Sequence, residues 1–324
     1  MFLMKSSDML SSFSFSELLG SAVGAMIDEG NAAEKGIIAP LRSAVARGED
    51  SLLLMPCLTG EEWGLKVLTL FPENPGRGKP FINGLFLLFD GEDGTPAALL
   101  DGRTLTALRT GAVGGAGMNA LAPSDVKTLG LLGAGVQGYW QVRFACSVRS
   151  FSEVRIYDLR EKSSKELADR LAADLPGVSV SVAESSEHLL RASEAVITAT
   201  NSTTPLFPEK TDLFRDRTFI AIGSYTPEMR EYPDSFFSEV DRVYVDTLHA
   251  LDETGDLMGP LEAGTLLRKN ISPLADILPS GRYAPVKGKS VLFKSVGLSV
   301  FDLYAARTIL ALGREKKQGQ EFSL

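Results

Sequence analysis

Residues 126–138, VKTLGLLGAGVQG, constrain this chain's fold more than any other stretch. An apolar run of strand length leads into Gly133, Gly135 and Gly138, spaced GxGxxG, and a helix-forming run follows. Each glycine answers its own steric demand. Gly133 allows the tight turn, Gly135 lets bare backbone approach a pyrophosphate, and Gly138 lets helix and strand pack together. The helix start at Val136 and Gln137 presents unpaired N–H groups that attract phosphate. The next apolar strand, EVRIY, ends at Asp158, 20 residues after Gly138, where a carboxylate can bond both ribose hydroxyls. This pattern predicts a dinucleotide site. Asp158 would repel a 2′-phosphate and favours NAD(H), whereas Arg160, two residues on, keeps NADP(H) open. Thr198, Thr200 and Asn201 fall at the carboxyl end of a later strand, where open parallel sheets bind ligands. They are expected to touch the cofactor, with a hydroxyl-rich turn as the alternative.

From residue 126 onward strands alternate with helices, the strands at 126–132, 153–157, 195–200, 218–223, 242–245 and 290–293. Near-continuous apolar strands with intervening helices require a parallel sheet covered on both faces. The residues before this point read differently. Ser16 is placed to cap a helix over 17–30, strands follow at 51–55, 64–71 and 81–89, and an Ala- and Gly-rich helix covers 104–121. The glycines and prolines of FPENPGRGKPF, 71–81, preclude regular structure and could line a ligand cleft. A helix over 299–312 returns to the N-terminal part, and the polar tail from Arg314 reads as disordered. The expectation is an α/β protein: a Rossmann doubly wound parallel sheet domain, 124–298, plus an α+β substrate-binding and dimerisation domain, 1–123 completed by 299–324.

With 324 residues, 44% of them hydrophobic, the chain can fill two cores. The net charge of −8 without a basic block argues against nucleic acid or an anionic membrane as partner. No stretch approaches a membrane-spanning length, the first 20 residues lack the marks of a signal peptide, and only Cys57 and Cys146 are present, in different domains. These features place the protein in the cytoplasm. His188 and His249 lack the paired spacing of a metal site, so no metal is expected. Proton transfer then falls to lysine, a carboxylate, tyrosine or water.

Several elements outside the nucleotide motif carry a resemblance: Arg42, Met55-Pro56, Leu65-Lys66, LRTGA at 108–112, and LFKSVGLSVFDL near the C-terminus. With GAGVQG, in this order and spacing, the chain resembles the ornithine cyclodeaminase/mu-crystallin family over nearly its whole length. The resemblance implies a homodimer whose N-terminal domain supplies the substrate pocket and the dimer contact. It places Arg42, Lys66 and Arg109 around a substrate carboxylate and Thr110 beside the cofactor phosphates. The chemistry agrees, since an α-carboxylate needs a bidentate arginine and a second cation. Lys66, flanked by Leu65 and Val67, is expected to be buried with a lowered pKa and to act as the proton donor.

Two departures bear on the reaction. Family members that close ornithine to proline carry a catalytic aspartate in a turn where this chain has GSYTPEMRE, with Tyr225 at that place; Phe81 stands where a threonine follows the lysine. Phe81 and Tyr225 make the substrate pocket more aromatic. Without the aspartate, nothing pairs a side-chain ammonium or activates water for ammonia release. The leading expectation is therefore hydride transfer from NAD(P)H to the α-carbon of a cyclic ketimine, of the pyrroline-2-carboxylate or piperideine-2-carboxylate type. Ornithine cyclodeamination, an alanine dehydrogenase-like reaction, and mu-crystallin-like ligand binding are the competing readings.

Overall fold

Burial alternates residue by residue along the strand Glu62–Leu70, with Gly64, Lys66, Leu68 and Leu70 turned inward. A half-buried sheet imposes this period of two. The computed structural model describes residues 1–279 and 283–323. They form two units, Met1–Arg109 with Leu298–Leu324, and Thr110–Gly297.

The first unit is built on β1 (Phe2–Met4), β2 (Ser43–Arg47), β3 (Asp50–Leu58), β4 (Glu62–Leu70), β5 (Ile82–Asp90) and β6 (Pro96–Asp101). With a strand at Gln320–Glu321 they make, among the described residues, a seven-stranded mixed sheet in the order Gln320–Glu321, β1, β6, β5, β4, β3, β2. Helices Phe15–Gly30 and Ser299–Glu315 pack on each other, and the latter lies on β3, β4 and β5. Gly64 makes this approach possible: a Cβ there would meet Phe86 at 2.6 Å and Leu303 at 3.0 Å.

Three expectations for this unit need correction. Ser14, not Ser16, caps the first long helix, its Oγ accepting from the Glu17 N–H at 3.4 Å, while Ser16 bonds the Ser14 hydroxyl. The segment 71–81 contains one 3₁₀ turn, Asn74–Arg77, because the Asn74 side chain bonds the Pro80 carbonyl and ties the loop to itself. The polar tail is ordered as far as it is described, to Ser323: the helix runs to Glu315, Gly319 turns at φ 103°, and Gln320–Glu321 pairs antiparallel with Phe2 and Leu3, satisfying the edge of β1.

The second unit contains β7 (Thr128–Leu132), β8 (Glu153–Tyr157), β9 (Ser179–Val182), β10 (Ala195–Thr198), β11 (Thr218–Ala221), β12 (Val240–Val245), β13 (Ile271–Pro273) and β14 (Ser290–Lys294). Among the described residues they form an eight-stranded parallel sheet in the order β13, β12, β14, β11, β10, β7, β8, β9. The order reverses between β7 and β10, so a crevice opens at their carboxyl ends, where open α/β sheets take ligands. His188 lies in the helix Ser186–Arg191, and His249 precedes the short helix Ala250–Glu253. No single described helix is long and apolar enough to cross a membrane.

The division between units falls within one helix, Gly102–Leu121, at Arg109/Thr110 rather than after Pro123. Close packing explains the shift. A Cβ on Gly111 would meet Phe144 at 2.6 Å, one on Gly117 would meet Phe293 at 2.3 Å, and one on Gly114 would overlap the Gln141 side chain. The glycines of RTGAVGGAG thus draw the second half of the helix against residues of the parallel-sheet unit.

Candidate active site

Lys66 occupies an inward position on β4, opposite Met55 on β3 and Phe86 on β5. Its side chain is 1% exposed. Taking an isolated ammonium out of water is costly unless a counter-charge is supplied. Asp302, on the helix Ser299–Glu315, supplies it: Lys66 Nζ donates to Asp302 Oδ2 at 2.5 Å, and Arg109 Nε donates to Asp302 Oδ1 at 2.9 Å. Asp302 is wholly buried and Arg109 nearly so. Burial lowers the Lys66 pKa to about 7; Asp302 opposes that fall, while the charges of Arg109 and, more weakly, Arg42 add to it. Two buried cations thus share one carboxylate, with Arg42 close enough to be felt. The surplus positive charge suits a carboxylate ligand.

The second unit holds the glycine-rich turn. Gly133 has φ 100°, a conformation that L side chains rarely adopt, and a Cβ there would meet the Ala199 carbonyl at 2.5 Å. At Gly138 a Cβ would collide with the Gly133 carbonyl. Gly135 is different: nothing lies within 4 Å of where its Cβ would be, which leaves bare, accessible backbone. It precedes the helix Val136–Val148 without a side-chain cap. The N–H groups of the helix's first turn therefore have no intrahelical acceptor, and Gln137 Oε1 is buried without a partner. Asp158, at the end of β8, accepts from the Ala134 and Arg160 N–H groups, each at 2.9 Å, which fixes its carboxylate beside the turn. The exposed Arg160 side chain lies 3.7 Å from it. Open backbone, unspent N–H groups and a fixed carboxylate fit the pyrophosphate and ribose of a dinucleotide. Thr110 is buried at the start of this unit, and its carbonyl accepts from Gln141 Nε2 at 2.7 Å.

Other expected site residues fall elsewhere. Phe81 precedes β5 and is 37% exposed. Tyr225 lies in the turn after β11, packed against the aromatic core of the parallel-sheet unit. Asn201 is exposed in the loop after β10. Thr198 is wholly buried, and its hydroxyl bonds Glu231 Oε2 and the Tyr232 hydroxyl. The Thr200 hydroxyl is likewise given to Glu231 Oε1. The sequence reading assigned no role to Asp302 or Glu231. For Asp302 a signal existed, a lone acid within the apolar helix run SVFDL that a buried Lys66 would demand.

An NAD(P)-dependent oxidoreductase is the class that a switch-point dinucleotide turn and a buried lysine–arginine cluster define. The chain matches the ornithine cyclodeaminase/mu-crystallin family over residues 10–317 and belongs to it. It is 33% identical to a Delta(1)-pyrroline-2-carboxylate reductase of Bacillus cereus, covering 87% of this chain and 88% of that protein. Identity to the ketimine reductase mu-crystallin of Mus musculus is 30%, with 85% of each covered. The Delta(1)-pyrroline-2-carboxylate reductase of Thermococcus litoralis, solved in complex with NADH and L-proline, superposes with a TM-score of 0.91 at 29% identity, over 99% of this chain and all of that one.

Proposed function

We propose that the protein reduces a cyclic ketimine carboxylate, of the pyrroline-2-carboxylate or piperideine-2-carboxylate type, to the corresponding cyclic amino acid. The observation that carries this reading is the buried Lys66–Asp302–Arg109 cluster with Arg42 nearby. The names of the Bacillus and Thermococcus relatives support the same substrate class. When bound, the dinucleotide supplies a hydride to the carbon of the C=N bond. Arg109 and Arg42 hold the substrate carboxylate, and Arg109 keeps its orientation because Asp302 grips Nε. Charged Lys66 gives a proton to the ring nitrogen, so that hydride and proton together turn C=N into CH–NH. A lysine titrating near 7 can donate and be recharged at neutral pH. The turn that holds Tyr225 offers no aspartate to pair a free amine, which disfavours ornithine as substrate.

We further infer a homodimer formed by the outer face of the mixed sheet. Cross-strand register lines up Val45 with Leu52, Leu54 with Val67, and Val67 with Leu85 on that face. Val45 is 60% and Leu85 49% exposed. A largely apolar face of this kind, with the charges of Arg47, Asp50 and Asp101 on the same side of the sheet, is complementary to a second copy of itself. Val67→Asp should yield a monomer by light scattering, and an unchanged dimer would put the interface elsewhere. A reducing, cytoplasmic setting accords with Cys57 and Cys146, both free.

The test is oxidation of NADH and NADPH with pyrroline-2-carboxylate, piperideine-2-carboxylate, or pyruvate with ammonia, alongside ammonia release from ornithine. Turnover of a cyclic imine without ammonia release is expected. Proline and ammonia from ornithine would overturn the reductase reading in favour of cyclodeamination.

A further inference from the structure

The loop after β10 leans on the dinucleotide turn: Ala199 presents its carbonyl to Gly133 and donates its N–H to the Leu132 carbonyl at 2.9 Å. A loop of hydroxyl residues is not rigid by itself, so its position must be imposed. One side chain, distant in sequence, does this. Glu231 is wholly buried and accepts three bonds from the loop and strand end at 2.8 Å each: from the Thr200 N–H, the Thr200 hydroxyl and the Thr198 hydroxyl. Glu231 is itself fixed from behind. Its N–H and that of Tyr232 donate to Asp256 Oδ1, at 2.6 and 3.2 Å, and Lys294 Nζ holds Asp256 Oδ2 at 3.2 Å. Glu231, Asp256 and Lys294 are all wholly buried. On the far side, Gly223 leaves room for the clamp, since a Cβ there would strike the Thr200 carbonyl and Glu231 Oε1.

We infer that Glu231 is a positioning residue for dinucleotide binding: it holds the 198–202 loop in the register that keeps the Gly133 turn and the β7/β10 crevice open to the cofactor. Neither the apolar core nor the sheet ladder needs a carboxylate here, and hiding one is expensive. Thr198 and Thr200 therefore serve the cofactor through Glu231, not by touching it. Glutamine keeps an acceptor oxygen for the Thr200 N–H and hydroxyl, and its amide group can donate to the Thr198 hydroxyl, so Glu231→Gln should keep most of the clamp and Glu231→Ala none.

The inference rests on the second unit binding a dinucleotide, and the experiment separates the two. Wild type, Glu231→Ala, Glu231→Gln and Thr198→Val are titrated with NADH by calorimetry, with thermal unfolding measured in parallel. Failure of the wild type to bind NADH would remove the cofactor reading itself. With the wild type binding, Glu231→Ala, which removes all three bonds that Glu231 accepts, should weaken NADH by about tenfold or more. Glu231→Gln should stay within about threefold, and Thr198→Val should fall between them. In turnover, the KM for NADH should rise in Glu231→Ala while the KM for the imine holds. Should Glu231→Ala fail to fold, Thr198→Val and Gly223→Ala carry the same comparison, and wild-type NADH affinity in both overturns the inference. So does wild-type affinity in a folded Glu231→Ala, or equal weakening in the alanine and glutamine variants.

Discussion

Replacing Asp302 by asparagine should move the alkaline limb of the kcat profile far to the acid side. In the native protein Lys66 is held near 7 by two opposed effects, burial lowering its pKa and Asp302 at 2.5 Å raising it. Asparagine removes the raising effect and leaves burial, Arg109 and Arg42, all of which lower it. An opposite charge in direct contact is worth about 1 to 3 pH units to its partner. Above both midpoints, each such unit costs about tenfold in the charged fraction of Lys66. About one pH unit above the native midpoint, kcat should thus fall by about a hundredfold, and it should recover on acidification. The assay is NADH oxidation at saturating imine across the pH range, read as kcat because loosening Arg109 also raises the KM for the carboxylate. Removing one partner from a buried ion pair destabilises by about 3 to 5 kcal/mol, so unfolding is followed alongside and rates are compared in the cold. A variant that folds yet keeps the native alkaline limb would refute the assignment of Lys66 as the proton donor under the control of Asp302.

Stability carries the same signature. Between about 7 and the usual lysine value of 10.5, the unfolded chain binds a proton on Lys66 that the folded protein does not, so unfolding free energy should rise with pH across that window. Lys66→Met should lack this rise in denaturant titrations; parallel curves would mean that Lys66 titrates alike in both states. Gly133→Ala forces a side chain onto the Ala199 carbonyl in a left-handed backbone and should abolish NADH binding by calorimetry, where retained affinity would misplace the turn. Asp158→Ser should weaken NADH and, with Arg160 exposed beside it, strengthen NADPH. An unaltered preference would show that the ribose lies elsewhere. Both thiols are pushed up to about 12 by burial, with the charge of Asp302 adding to it at Cys57, so iodoacetamide should leave native activity intact, and rapid inactivation would contradict that burial.

The sequence made local signals legible and left convergent ones hidden. The turn at Gly133, Gly135 and Gly138 could be read because one short segment contains the strand end, the bend and the helix start. The inward placement of Lys66 followed from its apolar neighbours on a strand. Asp302 lies 236 positions away from Lys66, and no local rule says which distant acid will meet a buried lysine. Thr198 and Thr200 were correctly placed at the carboxyl edge, yet their hydroxyls turn to Glu231, a partner that a linear reading cannot supply. The short strands β1 and Gln320–Glu321 were missed for a related reason: β1 exists by pairing with β6, about 95 positions away, and Gln320–Glu321 by pairing with β1 at the other end of the chain.

That last pairing has a bearing on how the molecule comes into being. The unit carrying Lys66 is discontinuous, and its acid, Asp302, arrives only after the whole parallel-sheet unit has been synthesised. Until residue 298 has been added, Lys66 has no Asp302 to meet and β1 has no Gln320–Glu321 on its edge. A chain that ends just before residue 298 contains every residue of the glycine-rich turn but lacks the carboxylate that Lys66 and Arg109 share.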